Sequence, residues 1–112
     1  VTGNKLNAIL NQRSQDMLTA NNWNVAQYSV LLVMMAKVSG LVPGELVHVI
    51  ADAHVYDRHI PLCETLFDRP QYPAPKLVIK RDVKDFYDFR ADDFELEDYK
   101  YTPLGAKIEV AI

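Results

Sequence analysis

Cysteine and positive charge are both scarce in this sequence, and each shortage excludes a class of protein. Cys63 is the single cysteine among 112 residues, so an intrachain disulfide and a cysteine-rich metal site are excluded. Lysine and arginine number 12 against 15 acidic residues, for a formal net charge of −3. This balance argues against binding along nucleic-acid phosphates, which takes a basic surface. The lone cysteine indicates a reducing compartment, and we predict a cytoplasmic protein.

Long apolar runs are lacking too. The longest, from Val30 to Ala36, has seven residues, whereas a membrane-spanning helix needs about 20. No basic leader precedes an apolar core, so neither a membrane span nor a secretory signal is expected. With 49% hydrophobic and 24% charged residues, the composition is that of a soluble globular protein. The length suits one domain over residues 1–112.

Hydrophobic periodicity predicts both helices and strands. Alternating side chains predict strands, and the nearly continuous apolar stretch after Asn24 predicts a buried helix that Gly40 caps. In chain order, the predicted elements are a strand from Leu6 to about Arg13, a helix at Asn24–Ser39, a strand at Glu45–Val55, a helix at Asp57–Asp68, and short strands at Lys76–Lys80 and Phe94–Glu97.

Two polar clusters are candidates for binding small molecules. The first, Gln12–Asp16, is either a solvated loop or an anion site, because an arginine fork and a serine hydroxyl suit phosphate. In the second, period two places Asp52, His54 and Tyr56 on one strand face. Such donors and acceptors bind sugar hydroxyls, and the alternative is a strand face exposed to water.

Two other groups of residues are weaker candidates. His54, His59 and Cys63 are metal-ligand types, but they straddle the predicted break between a strand and a helix, so we predict no metal site. The acidic and aromatic stretch over residues 82–101 is either a protein-binding surface or a set of core aromatics flanked by solvated carboxylates. The second interpretation is favoured.

Taken together, short blocks along nearly the whole chain resemble the thymidylate synthase family. They stand in the family's order and spacing from about Leu6 to the last residue. The blocks are Gln-Arg-Ser-x-Asp at 12–16, Asn-Val-Ala at 24–26, Gly-Leu-Val-Pro-Gly at 40–44, Asp-x-His-x-Tyr at 52–56, Pro-Lys-Leu at 75–77, Asp-Asp-Phe-x-Leu at 92–96, and Val-Ala-Ile at 110–112.

The resemblance implies an α+β fold in which a mixed sheet packs on a buried central helix. Residues 1–112 match only the C-terminal portion of that single family domain. In the family, the outer face of the sheet forms the interface of a homodimer. A homodimer is therefore the expected state of the complete enzyme.

The resemblance also implies a reaction and a set of nucleotide-binding residues. The family converts deoxyuridylate (dUMP) to thymidylate, with 5,10-methylenetetrahydrofolate as the co-substrate and without a metal. The implied dUMP-binding residues are Arg13, Ser14 and the backbone of Gln15 for the 5′-phosphate, Asn24 for the uracil edge, and His54 and Tyr56 for the 3′-hydroxyl.

For the folate, the resemblance implies three positions. Asp16 bridges the uracil and the folate ring through hydrogen bonds and ordered water, Trp23 forms an aromatic wall, and Ala111 lies in the segment that closes over the folate. Two departures fall near this region: Ala20 stands where the family has glycine, and Ile50-Ala51 replace a Gly-Gly pair.

The catalytic residue of the family has no match in this sequence. It is a cysteine in a Pro-Cys-His setting before the strand that leads to Gln12, and Cys63 instead follows Leu62 in another segment. We therefore expect the nucleophile upstream of this chain, and we expect the chain alone to be inactive.

Two alternatives remain open at this point. One is a deoxycytidylate (dCMP) hydroxymethylase relative on the same scaffold, although Asn24 argues against it because a cytosine edge favours a carboxylate there. The other is a nucleotide-binding remnant without catalytic activity, which the missing cysteine would explain.

Overall fold

The computed structural model describes residues 1–109. The helices and strands are β1 (Lys5–Asp16), α1 (Asn21–Val38), β2 (Val42–His54), α2 (Ile60–Phe67), β3 (Lys76–Ile79) and β4 (Phe94–Glu97), with single 3₁₀ turns at Asp57–His59, Phe86–Asp88 and Ala91–Asp93. The predicted α+β class is confirmed. Neither described helix is long and apolar enough to cross a membrane.

β1, α1 and β2 form one βαβ unit. β1 pairs with β2 in parallel, and α1 is the crossover between them. β3 and β4 form a separate antiparallel pair in which Ile79 lies opposite Phe94. Within residues 1–109 the strands thus form a parallel pair and an antiparallel pair rather than one continuous sheet.

β1 ends three residues beyond the end that its sequence pattern predicts. It continues to Asp16 because β2 supplies a partner along its whole length, with Ser14 opposite Asp52 and Asp16 opposite His54. Such pairing satisfies backbone N–H and C=O groups that a loop would leave to water. The polar cluster at 12–16 therefore lies on a strand, so the solvated-loop interpretation is wrong.

α1 begins three residues before its predicted start and ends as predicted at a glycine. Gly40 has a φ of 67°, and its backbone N–H donates to the Lys37 carbonyl. Glycine takes this left-handed conformation without the steric cost that a Cβ imposes. The expectation of a buried helix is met only in part, because Leu32 and Ala36 alone in α1 are fully buried.

The β1–β2 pair presents apolar side chains on the face away from α1. Ile9 lies opposite Val47 in the strand register, and they are 67% and 46% exposed. Val49, two residues further along β2, is 49% exposed. The outer face thus has an exposed apolar patch that extends across both strands, next to the polar Asn11 opposite Val49.

The β3–β4 pair is held in place by one buried carboxylate. Asp93 is 5% exposed and accepts two hydrogen bonds from the Arg81 guanidinium, at 2.7 and 2.8 Å. The Arg90 backbone N–H donates to it at 2.8 Å. The hydrogen bonds from Arg81, and after them the one from Arg90, lower the pKa of Asp93 from its ordinary 3.8 to about 2.

We predict that Asp93 makes the protein sensitive to acid between about pH 4 and pH 2. Its folded pKa is below its unfolded pKa, so its contribution to the free energy of unfolding is present above about pH 4 and is lost as the pH falls toward 2. Asp93→Asn should lower the Tm at pH 7 and flatten its fall below pH 4. Asp92→Asn is the matched control, since Asp92 is exposed. Identical pH profiles for the two variants would contradict the prediction.

Candidate functional site

Polar side chains gather where β1 and β2 end. Because the strands are parallel, their carboxyl ends meet at one edge, which brings Ser14 next to Asp52. The Ser14 hydroxyl donates to Asp52 Oδ2 at 3.1 Å. The two predicted polar clusters, separated by a whole helix in the sequence, therefore meet at this edge through Ser14 and Asp52.

A polar hollow of about 460 Å³ opens at this edge. The side chains that line it include Ser14, Asp52, His54 and Tyr56. His54 Nδ1 lies 3.6 Å from Asp52 Oδ1, and its ring meets that of Tyr56 edge to face at 5.3 Å. These contacts orient the imidazole, and a hydroxyl, an imidazole and a phenol can together bind the hydroxyls of a sugar.

A larger and less polar cavity of about 620 Å³ adjoins the hollow. Tyr56 lines both spaces. The other lining residues are Asp16, Thr19, Ala20 and Trp23 on one side, with Leu104, Ala106, Ile108 and Glu109 from the C-terminal segment. A cavity of this size holds a drug-sized or cofactor-sized ligand. The sequence indicated Asp16, Ala20, Trp23 and a C-terminal segment around Ala111, whereas it gave no role to Thr19 or to the individual residues from Leu104 to Glu109.

Asp16 is the acidic residue that β1 contributes to the lining of this cavity. Burial raises its pKa, but hydrogen bonds from the Thr19 hydroxyl and from the backbone N–H groups of Thr19 and Leu18, together with nearby His59, lower it by more. Both N–H groups lie 3.0 Å from Asp16 Oδ1. The carboxylate is therefore ionised and fixed at neutral pH, ready to accept a hydrogen bond or hold an ordered water.

A chain of side chains orients Asn24. His48 Nε2 lies 2.9 Å from Gln12 Oε1, and Gln12 Nε2 donates to Asn24 Oδ1 at 3.4 Å. Because the Asn24 oxygen receives this hydrogen bond, its amide nitrogen points away from Gln12. No motif in the sequence indicates a role for His48, although period two places it on the same strand face as Asp52 and His54.

Two of the predicted phosphate-binding residues do not reach the hollow. Arg13 lines a separate shallow depression on the sheet with Asn11, Val49 and Ala51. Gln15 is 1% exposed, and its Oε1 has no hydrogen-bond partner among the described residues. Their phosphate roles stay predictions. Ala111 lies outside the described residues.

Of the three metal-ligand types considered in the sequence, His54 lines the hollow, whereas His59 and Cys63 lie apart from it. His59 is buried and bonds through Nε2 to the Glu109 carbonyl at 2.9 Å. Cys63 is half-buried on α2 and lines neither the hollow nor the large cavity. Within residues 1–109, no cluster of three or more His, Cys, Asp or Glu side chains is placed to hold a metal ion.

Comparison with known proteins identifies relatives along the whole chain. The sequence profile of the family described as "Thymidylate synthase" matches residues 1–112. Thymidylate synthase from Saccharomyces cerevisiae is 48% identical over 99 residues, which are 88% of this chain and 33% of that protein. Thymidylate synthase from Bacillus licheniformis is 48% identical over 110 residues, which are 96% of this chain and 38% of that protein.

The fold has a close match among solved structures as well. The thermostable thymidylate synthase A from Bacillus subtilis superposes with a TM-score of 0.89 and 44% identity, covering 100% of this chain and 39% of that one. The chain therefore spans between a third and two fifths of the length of the relatives it matches.

Proposed function

Because the chain belongs to the thymidylate synthase family of methyltransferases, we propose that it supplies most of the dUMP site and one wall of the folate site in a complete enzyme. That enzyme, in which this chain forms the C-terminal part, converts dUMP to thymidylate with 5,10-methylenetetrahydrofolate as co-substrate. It is called the complete enzyme below. The relatives bear the name thymidylate synthase, which does not favour a hydroxymethylase or a remnant.

One observation carries this proposal: a polar hollow and a larger apolar cavity share Tyr56 as a common wall. A nucleotide and a folate must lie in contact for a one-carbon unit to pass between them. The hollow suits the deoxyribose, because His54 and Tyr56 project polar atoms into it. The larger cavity suits the folate ring beside Trp23, since aromatic surfaces stack on planar ligands.

Asn24 and Asp16 are the residues through which the chain reads the base and links it to the folate. A carboxamide donates to O4 of uracil and accepts from N3–H at the same time. The ionised Asp16 carboxylate accepts hydrogen bonds on the cavity side. Ser14, at the rim of the hollow, and Arg13 bind the 5′-phosphate, with the Gln15 backbone beside them.

The reacting thiolate comes from outside this chain in the proposed mechanism. It adds to C6 of dUMP and makes C5 the nucleophile that takes up the one-carbon unit. The chain's own residues bind and orient both substrates and exclude water from them. The exposed apolar face of Ile9, Val47 and Val49 supports a homodimer, and the lone cysteine supports a cytoplasmic location.

The activity of the complete enzyme tests the proposed function directly. Incubation with dUMP and 5,10-methylenetetrahydrofolate should release dihydrofolate, which is followed by absorbance. In the same protein, Tyr56→Phe should weaken the preference for a 3′-hydroxyl, because only His54 then remains to bind it. We expect Tyr56→Phe to reduce the wild-type preference for dUMP over 2′,3′-dideoxyuridylate by about tenfold, the effect of one hydrogen bond, while His54 keeps the remainder.

Calorimetry of the two nucleotides with each variant measures this preference. Tyr87→Phe is the matched control, because Tyr87 is 91% exposed and lines neither space of the site. A wild-type enzyme without turnover would overturn the proposed reaction. A Tyr56→Phe variant that lost the same affinity for both nucleotides would show that Tyr56 does not read the 3′-hydroxyl.

A further inference from the structure

Arg69 makes an unusual set of contacts for a residue outside the site. It follows the end of α2, and its guanidinium reaches three consecutive backbone carbonyls of the C-terminal segment. The distances are 3.2 Å from Nη1 to the Thr102 oxygen, 2.9 Å from Nη1 to the Pro103 oxygen and 2.7 Å from Nη2 to the Leu104 oxygen.

These contacts matter because the segment has little other backbone support. Residues 100–109 contain no helix or strand, so their carbonyls lack the partners that regular structure provides. Hydrogen bonds from a charged donor are stronger than neutral ones. The planar guanidinium offers several donors in a fixed fork, which suits three neighbouring oxygens.

A second contact holds the other end of the same segment. His59, in the 3₁₀ turn just before α2, is 4% exposed and lies with Nε2 at 2.9 Å from the Glu109 carbonyl. Arg69 and His59 thus attach the segment at residues 102–104 and at residue 109. Both attachments come from the short unit built around α2.

The residues between these two attachments form a wall of the large cavity. Leu104, Ala106 and Ile108 face Ala20 and Trp23 across it. No strand or helix sets the position of this wall, so it depends on these two attachments and on Tyr72, whose Oη lies 3.3 Å from Thr102 Oγ1. Residues on either side of α2 therefore control the width of the cavity, although α2 itself contributes no residue to its lining.

We propose that Arg69 is a positioning residue for the folate site, which it serves by fixing the 102–104 backbone and with it the wall formed by Leu104, Ala106 and Ile108. This role rests on the proposed function, because the ligand of the large cavity is taken to be the folate. Arg69 touches neither substrate. Its loss should therefore weaken use of the folate while leaving the polar hollow, which Ser14, Asp52 and His54 form from β1 and β2, unchanged.

The test uses Arg69→Ala and Arg69→Lys in the complete enzyme, with Arg58→Ala as the control. Arg58 lies on the same unit and is exposed. Lysine keeps the charge but places it on a single nitrogen, so Arg69→Lys should still hold the 102–104 backbone, though less firmly than arginine does. Two readouts are compared: trypsin cleavage after Lys100 and Lys107, and the folate KM set against the dissociation constant for dUMP. Because Pro70 follows Arg69, the Arg69 substitutions remove no ordinary trypsin site, and since Arg58→Ala removes the site before His59, only cleavage after Lys100 and Lys107 is compared.

We expect Arg69→Ala to be cleaved after Lys100 and Lys107 about tenfold faster than the wild type, and to have a folate KM raised about tenfold, which corresponds to about 1.4 kcal/mol. The Kd for dUMP should stay within about twofold. Arg69→Lys should fall between the wild type and Arg69→Ala in both readouts, and Arg58→Ala should match the wild type.

Three results would overturn the proposal. The first is an unchanged rate of cleavage in Arg69→Ala, which would show that Arg69 does not hold the segment. The second is an equal loss in folate KM and dUMP Kd together with a lowered Tm, which would make Arg69 a residue of general stability. The third is faster cleavage with an unchanged folate KM in an active enzyme. If the wild type showed no turnover, the proposed function would fail, and the cleavage rates alone would still decide whether Arg69 holds the segment.

Discussion

The 112-residue chain alone should release no dihydrofolate from dUMP and 5,10-methylenetetrahydrofolate, while the complete enzyme turns both over. The reaction needs a thiolate that attacks C6 of the base, and the family places that cysteine in a Pro-Cys-His setting that this sequence does not contain. Cys63 lies on α2 and lines neither the hollow nor the large cavity. Covalent catalysis cannot begin without a nucleophile within bonding reach of the substrate.

The absorbance assay for dihydrofolate, run at equal molar concentrations of the chain and the complete enzyme, measures the difference. Cys63→Ala in the complete enzyme is the control, and it should keep full activity. Turnover by the isolated chain would contradict the prediction in either of two ways. If that turnover disappeared with Cys63→Ala, Cys63 would be the nucleophile, and if it persisted, the chain would contain a different one.

Asn24→Asp in the complete enzyme should shift base preference from uracil toward cytosine. A carboxylate accepts from the exocyclic amine of cytosine but loses the amide donor that suits O4 of uracil. Sites that hydrogen-bond their substrate reject a mismatched partner by up to about 10⁴-fold. The effect should be large here because the chain from His48 through Gln12 fixes the Asn24 carboxamide, so the side chain cannot reorient freely.

The measurement is the ratio of kcat/KM for dUMP to that for dCMP, taken in the wild type and in the variant. Asn22→Asp is the matched control, because it places the same charge in the first turn of α1 on an exposed residue. A ratio unchanged by Asn24→Asp would mean that another residue reads the base. A ratio that fell equally in both variants would assign the effect to the added charge rather than to the position.

The elements of the fold were largely predictable because each depends on neighbours in the sequence. Period two marked β2, the apolar stretch after Asn24 marked α1, and Gly40 marked its end. The predictions were least accurate at the end of β1, where a polar pattern was compatible with a loop. Pairing with β2 decided that case, and β2 lies more than 30 residues further along the chain.

Burial of α1 was the other point where local pattern and structure differ. The apolar stretch after Asn24 predicted a helix buried on all sides, yet Met35 is 48% exposed. Burial depends on what packs against each face, and among the described residues α1 packs mainly on β1 and β2, with a smaller contact to the 3₁₀ turn at Phe86–Asp88. The sequence pattern thus showed that the helix surface is apolar, whereas tertiary contacts decide how much of that surface is buried.

The α+β class, the family and the residue types of the site could all be read from the sequence, because they follow from local periodicity and from short blocks in a fixed order. The grouping of those residues came from the three-dimensional arrangement alone. It joined Ser14 to Asp52, separated Arg13 from both, and brought Arg69 to the carbonyls of residues 102–104. Each of these relations depends on strand pairing or on contacts between distant segments, and the free energy of such contacts depends on geometry that no local pattern contains.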